Sequence, residues 1–413
     1  MTPVAPPPRS TWRTPMVILA AGSMVLLLVF GLRASLGLYL KPMSVDLGWG
    51  RETFAFALAM QNLLWGAFQP FSAAIAEKWG AGRVIAAGGL LYAGGLWMMS
   101  TTADPLSFQI SAGLLLGMAQ AGGGTSIVLG AVGRAMPAER RSWAMGLITA
   151  AGAAGQFTVV PLGQAFLNAY GWPTAFVLLA VLALAMVLCA PALKGRSEAH
   201  GPHLTAGEAA FGLVDQLKEA SRHRGFWLLT AGFFVCGFHV AFIAVHMPAY
   251  ITDLGLPAGL GAWSLSLIGL FNVIGSYGAG VLGGKGRKKH LLSYLYLLRA
   301  VAIALFLFIP ASTTTVLAFS VAMGLLWLST VPLTSGLVAQ IFGVRYMGTL
   351  FGIVFFSHQI GSFLGVWLGG KLYDTTGSYD GIWWAGIALG IAAAIVHWPI
   401  DDKQVDRLAE AEA

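Results

Sequence analysis

The chain has 413 residues, of which 57% are hydrophobic and only 10% charged, and its formal net charge is +7. A soluble globular surface needs far more charge than this, so the composition excludes a soluble enzyme or regulatory domain. The positive balance carries no nucleic-acid signal, because the bases lie between long apolar blocks, where membrane topology explains them.

Residues 1–15 are Pro-rich and carry Arg9 and Arg13. The apolar run that follows continues through Leu40 without a small-residue cleavage site, so it reads as a first span and not as a signal peptide. A helix needs roughly 20 apolar residues to cross about 30 Å of hydrocarbon. Twelve such spans are predicted, at 16–40, 54–76, 82–101, 105–133, 142–168, 172–193, 225–252, 261–283, 290–310, 314–341, 346–371 and 381–400. The blocks do not alternate apolar and polar residues as barrel strands do. The expected fold is therefore an all-α membrane protein. It divides into a tail (1–15), a six-helix half (16–193), a polar central loop (194–224), a second six-helix half (225–400) and a tail (401–413).

Orientation follows from the bases. With the N-terminus inside, 19 of the 24 Lys and Arg residues fall on inner segments, among them Arg196, Arg345 and Arg407. Only Lys41, Arg51 and Lys371 are outer, and Arg33 and Arg299 lie within spans. Both termini are thus expected in the cytoplasm of a cell whose inner membrane holds the protein. The halves also echo each other. The first span closes with a Pro42-containing exit and Asp46-Leu47-Gly48, the seventh with a Pro248-containing exit and Asp253-Leu254-Gly255. A parallel repeat of two six-span halves is a known transporter design.

The loop after the second span reads Glu77-Lys78-Trp79-Gly80-Ala81-Gly82-Arg83. It resembles the acidic-basic-x-Gly-x-x-basic turn of the major facilitator superfamily. The matching loop of the second half keeps Gly286 and its bases but lacks the acid. The fifth span opens Arg140-Arg141-Ser142-Trp143-Ala144-Met145-Gly146, similar to the Arg-Arg-x-x-Ala-x-Gly signature of the monocarboxylate transporter branch and its bacterial oxalate- and lactate-type relatives. That resemblance implies the major facilitator fold and a functional base in the first span, where this chain has Arg33. The branch usually places an Arg four residues after an acid or amide in its eighth span. Here the amide is Asn272 and the fourth residue on is Ser276.

All 17 acidic residues fall outside the predicted spans. The charge buried at membrane depth is basic, so the interior should favour an anion. Arg33 costs at least ~2.5–3.5 kcal/mol to insert unpaired. Its planar donor fork suits a carboxylate; the bland alternative is snorkelling to the headgroups. Arg299 reads as a cap on the carbonyls of neighbouring helices or as a base reaching the inner surface. His239 and His358 lie near the midplane, and His239 pairs with Arg33 across the repeat. Histidine changes charge near neutral pH, which makes both candidate proton carriers, although a hydrogen-bonded packing role is the plainer reading. Gln61, Asn62, Gln120, Asn272 and Gln359 are the amides expected to line a binding cavity or to bond helix to helix. Cys189 and Cys236 have no metal-ligand spacing.

These features predict a monomeric secondary active carrier in the lipid bilayer, with no enzyme chemistry, metal, cofactor or nucleic-acid partner. It would move a small organic anion, a monocarboxylate or similar carboxylate, by alternating access with proton symport. Export of an amphipathic compound is the alternative within carriers, and a membrane sensor or scaffold the alternative outside them.

Overall fold

A computed structural model describes residues 12–195, 212–343 and 346–405. Most of both expected tails and of the central loop lies outside these residues, and Arg9, Arg196, Arg345 and Arg407 lie there with them.

The chain is helical almost throughout. Helix α1 (Pro15–Leu47) starts where Thr14 Oγ1 accepts the Val17 N–H at 3.3 Å and proline takes the first helical position. It passes Pro42 and ends only at Gly48, so the sequence reading placed its end too early. Helix α2 (Arg51–Trp79) turns directly into α3 (Ala81–Ser100) at Gly80, whose φ of 97° only glycine accepts readily. Helix α4 (Pro105–Ala135) is interrupted midway, its regular turns stopping at Gly122 and resuming at Thr125. The expected fifth and sixth spans form one long element, α5 (Ala138–Cys189), whose two arms meet at Gly171 (φ 73°), just before Pro173.

A short amphipathic helix, α6 (Leu213–Arg222), occupies what the sequence reading took for polar loop. There follow α7 (Arg224–Asp253), α8 (Ala258–Lys285), α9 (Lys288–Phe308), α10 (Thr313–Phe342), α11 (Met347–Thr376) and α12 (Asp380–His397). Helix α10 is also broken midway, at Trp327–Ser329. Among the described residues, nine stretches are long and apolar enough to cross a membrane, with α5 counted once. Helices α2 and α3 are not among them, because amides dilute the first, and Arg83 with five glycines the second.

Helix α1 packs along α5, α7 along α11, α8 along α10 and α9 along α12. Helices before residue 195 thus pack mainly on one another, as do those after 212. The two groups meet where α2 lies on α11 and α5 on α8, with α1 touching α7 toward one end. Small residues allow the closest approaches. A side chain at Gly155 would collide with the Leu27 carbonyl, and one at Gly361 with the Phe234 carbonyl.

The two ends of the bundle differ. At one, Asp253 of α7 accepts Lys41 at 2.8 Å and Arg51 at 2.6 and 2.9 Å, joining α1, α2 and α7. Asp374 of α11 accepts the Arg51 and Glu52 backbone N–H groups, and Trp367 donates to Glu52 at 2.9 Å. At the other end the ion pairs among the described residues are local to one group: Arg287 and Lys289 with Asp402.

Candidate functional site

Arg33 sits on the inner face of α1, half-buried. Its Nη2 donates to Asn62 Oδ1 of α2 at 2.6 Å. Asn62 Nδ2 donates to its own helix at Leu58 O (2.8 Å), which fixes the amide with its oxygen toward the guanidinium. Trp65, one turn on, lies with its ring centroid 5.2 Å from the guanidinium carbon. No carboxylate pairs with Arg33 among the described residues.

Aromatic rings carry this corner across to the other helix group. Phe30 meets Trp65 edge-on at 6.3 Å, Trp65 meets Phe355 of α11 edge-on at 5.5 Å, and Phe355 stacks on His358 at 5.6 Å. The Gln359 side chain lies against Gly66 of α2. Behind Arg33, the Gln61 and Gln120 amides, the Tyr92 hydroxyl and the Trp65 indole N–H are buried. Gln61 Nε2, both amide atoms of Gln120, Tyr92 Oη and Trp65 Nε1 find no hydrogen-bond partner among the described residues. Each such group costs about 1–3 kcal/mol when left unmade.

Sequence reasoning named Arg33, Gln61, Asn62, Gln120, His358 and Gln359, and this region brings them toward one another. It places Asn272 and His239 elsewhere. Asn272 Oδ1 accepts the Leu328 N–H and the Ser276 hydroxyl, both at 3.0 Å, and so fills the break in α10. His239 Nε2 lies 2.7 Å from the Gly386 carbonyl, its ring turned onto α12. Arg299, wholly buried, donates to the Leu326 carbonyl at 3.0 and 2.6 Å and to the Trp327 carbonyl. Glu77, Lys78, Arg83, Arg140 and Arg141 are exposed, and Gly80 makes the tight turn between α2 and α3. Tyr92 and Phe355 escaped the sequence reading. An isolated tyrosine in the middle of an apolar run was the available signal for the first, whereas nothing distinguished Phe355 from the other phenylalanines.

The family described as Major Facilitator Superfamily matches residues 22–289 and 261–413. Monocarboxylate transporter 13 of Rattus norvegicus is 30% identical over 312 residues, covering 75% of this chain and 71% of that protein. The chain belongs to the major facilitator superfamily, in its monocarboxylate transporter branch. Monocarboxylate transporter 3 of Rattus norvegicus is 25% identical over 91% of this chain and 77% of its own length. An uncharacterized MFS-type transporter, YcxA of Bacillus subtilis (strain 168), is 28% identical over 63% of this chain and 65% of its own. Among solved structures, a bacterial homolog of the human lysosomal transporter Spinster, in an inward-facing and occupied conformation, superposes with a TM-score of 0.72. It is 13% identical and covers 94% of this chain and 97% of that one, a likeness of fold. The chain is thus a multi-pass membrane transporter, and the Arg33 corner lies where its two helix groups meet.

Proposed function

We propose that this transporter is a secondary active carrier of a small organic anion, a monocarboxylate or similar carboxylate, which it moves by alternating access with proton symport. The observation that carries the reading is Arg33, a cation inside the bundle whose protein partner is a neutral amide. A carboxylate supplies the missing charge and accepts two parallel N–H groups from the guanidinium. The unpartnered polar atoms of Gln61, Tyr92 and Gln120 are the groups available to its other oxygens. The aromatic walls of Phe30, Trp65 and Phe355 suit an apolar body on the same molecule.

The reading takes the chain as twelve crossings in two six-helix halves, 16–193 and 225–400, each broken at its fourth helix. Both termini lie in the cytoplasm and the Asp253 end faces outward from the inner membrane. The cross-group ion pairs at that end then describe a carrier closed outward. His358, stacked within the aromatic bridge, is a better-placed proton carrier than His239, which faces α12. The aromatic walls also favour a second reading, export of an amphipathic compound.

The test is L-lactate uptake into proteoliposomes. Arg33→Gln is expected to lower uptake about 100-fold, the loss of one charge-assisted pair of roughly 2.7 kcal/mol. Normal transport by Arg33→Gln would end the anion-clamp reading. Thermal stabilisation of the purified protein by amphipathic amines and not by carboxylates would select the second.

A further inference from the structure

The Asp253 end is joined across the two helix groups by hydrogen bonds that run deeper than its ion pairs. Arg51 Nη1 of α2 lies 3.0 Å from the hydroxyl of Tyr379, the residue before α12, and that hydroxyl lies 3.0 Å from Nδ1 of His246 on α7. His246 Nε2 lies 2.8 Å from the Val366 carbonyl of α11. All three side chains are buried, His246 completely. The atoms fix the direction of each bond. A carbonyl only accepts, so Nε2 carries a hydrogen. A guanidinium only donates, so the Tyr379 oxygen accepts from Arg51. With His246 neutral, Nδ1 offers a lone pair to the Tyr379 hydrogen, and every hydrogen in the chain has an acceptor. With Nδ1 protonated, the Tyr379 oxygen faces two donors, its own hydrogen has no acceptor left in the chain, and two cations share one hydroxyl. A buried donor without an acceptor and an unpaired buried charge both oppose that state. The closed end therefore admits the neutral imidazole and excludes the charged one.

We propose that His246 is a proton-binding site of this carrier, and that the proton it takes up releases the Asp253 end. This rests on the reading of that end as the closure of an alternating-access carrier, and it needs neither the anion nor its coupling. The step is proton binding: an N–H bond forms at Nδ1 with a proton from the medium, the hydrogen bond from Tyr379 is lost, and no covalent bond of the protein breaks. A ligand that binds one state better shifts the population toward it. Here the ligand is the proton and the favoured state is open.

The other groups at this end are engaged elsewhere or neutral. On α7 itself Phe242 packs on the ring, and Tyr250 and Asp253 follow. Asp253 is held by Lys41 of α1 and by Arg51. Helix α11 brings Gly369 against the ring, then Tyr373 under the Arg51 guanidinium, then Asp374, which accepts two backbone N–H groups. Glu52 of α2 accepts Trp367, and Asp380 of α12 is exposed. Helices α8 and α9 bring the neutral Gly261 and Phe306. The imidazole's partners are Tyr379 and Val366, so no carboxylate hydrogen-bonds to it. The charged group nearest along the bonds is Arg51, which ties α2 to α7 through Asp253. A positive His246 thus acts on the side chain that holds the two helix groups together.

The experiment follows the closure directly. Spin labels are placed at Val45 and Ala258, exposed residues near Lys41 and Asp253, in the full chain carrying Cys189→Ser, with the buried Cys236 left in place. Distance distributions are read from about pH 8 to about pH 5, the range in which an imidazole changes charge. One proton changes the ratio of open to closed by up to about tenfold per pH unit. In this background protein the population at longer distance should grow as pH falls. His246→Gln, whose amide can donate to Val366 but takes no proton in this range, should hold one distribution throughout. Tyr379→Phe keeps the ring packed on Tyr373 but removes the hydroxyl between Arg51 and His246, and the pH response should shrink to a small fraction. An undiminished response in either variant overturns the proposal, as does a background protein that does not respond. Asp253→Asn tells the two readings apart. If it opens this end while acid does not, the closure reading stands and the proton site falls. If neither opens it, the closure reading falls and the proton site with it.

Discussion

Two guanidiniums lie inside the spans, half-buried Arg33 and wholly buried Arg299, and their surroundings differ. Arg299 gives its Nε and Nη2 to the backbone, closing the Leu326 and Trp327 carbonyls that the break in α10 sets free, while its Nη1 has no partner among the described residues. Arg33 meets one amide oxygen and one indole face, amid side-chain atoms that have no partner. The breaks in α4 and α10 repeat the contrast. The first lies near the unpaired amide of Gln120, while the second is filled by Arg299 and Asn272. A buried base whose hydrogen bonds end on carbonyls holds a helix in shape. The proposed function rests on the other case, a base whose side-chain partner is one neutral amide.

The sharpest way to break this comparison is Arg299→Met. It removes the donors from two buried carbonyls, each costing about 1–3 kcal/mol when unmade. Thermal unfolding in detergent should show a large loss of stability, with poor recovery of folded protein. Arg33→Gln should leave the unfolding temperature nearly unchanged while lowering uptake about 100-fold. If the two variants exchanged these phenotypes, the roles assigned to the two bases would be reversed.

The reading of Arg299 as a cap on the carbonyls of a neighbouring helix holds, since it bonds those of Leu326 and Trp327. Arg33 and Asn62 are legible because a base and an amide inside acid-free apolar runs must face inward, and their depths agree. The break in α4 is legible in its run Gly122-Gly123-Gly124. The break in α10 falls at Trp327-Leu328-Ser329, with no glycine there and the nearest proline at Pro332, so which carbonyls it offers to Arg299 could not be foreseen. Pairing His239 with Arg33 across the repeat gave its depth but not its rotation. Which way a side chain turns about the helix axis depends on neighbours, here the Gly386 carbonyl of α12. Helix α6 was missed because its polar residues hid the apolar spacing of Leu213, Leu217 and Ala220. The long α5 was divided because Gly171 and Pro173 signal a stop, and the chain turns there without a loop.

A second comparison sets the Asp253 end against the Asp402 end, and it yields an effect of intermediate size. Asp253→Asn keeps the shape of the side chain but removes the charge that Lys41 and Arg51 share. Hydrogen bonds to charged groups are worth about 1.5–3 kcal/mol, so weakening this set by about 2 kcal/mol shifts a two-state balance roughly 30-fold. Spin labels on the facing ends of α1 and α7 should report a new population at longer distance. An unchanged distance distribution would mean that these pairs decorate the closure and do not hold it.

The smallest effect is expected at Asp402, and its pH dependence is diagnostic. The Arg287 guanidinium, hydrogen-bonded at 2.8 Å, and then Lys289 hold this carboxyl below the usual carboxylate range. A carboxyl depressed in the folded state stabilises it fully above the unfolded value of about 3.9, and the contribution disappears as pH falls through the folded value. The unfolding temperatures of the wild type and Asp402→Asn should therefore differ by a constant amount at neutral pH and converge in acid. The gap should be modest, because Arg287 is 61% exposed and solvent screens the pair. Since Asp402 joins residues of one helix group only, Asp402→Asn should leave the α1–α7 distances where they were. A shift in those distances would show that closure is felt at both ends of the bundle, and that the ion pairs at Asp253 are not its sole charged control.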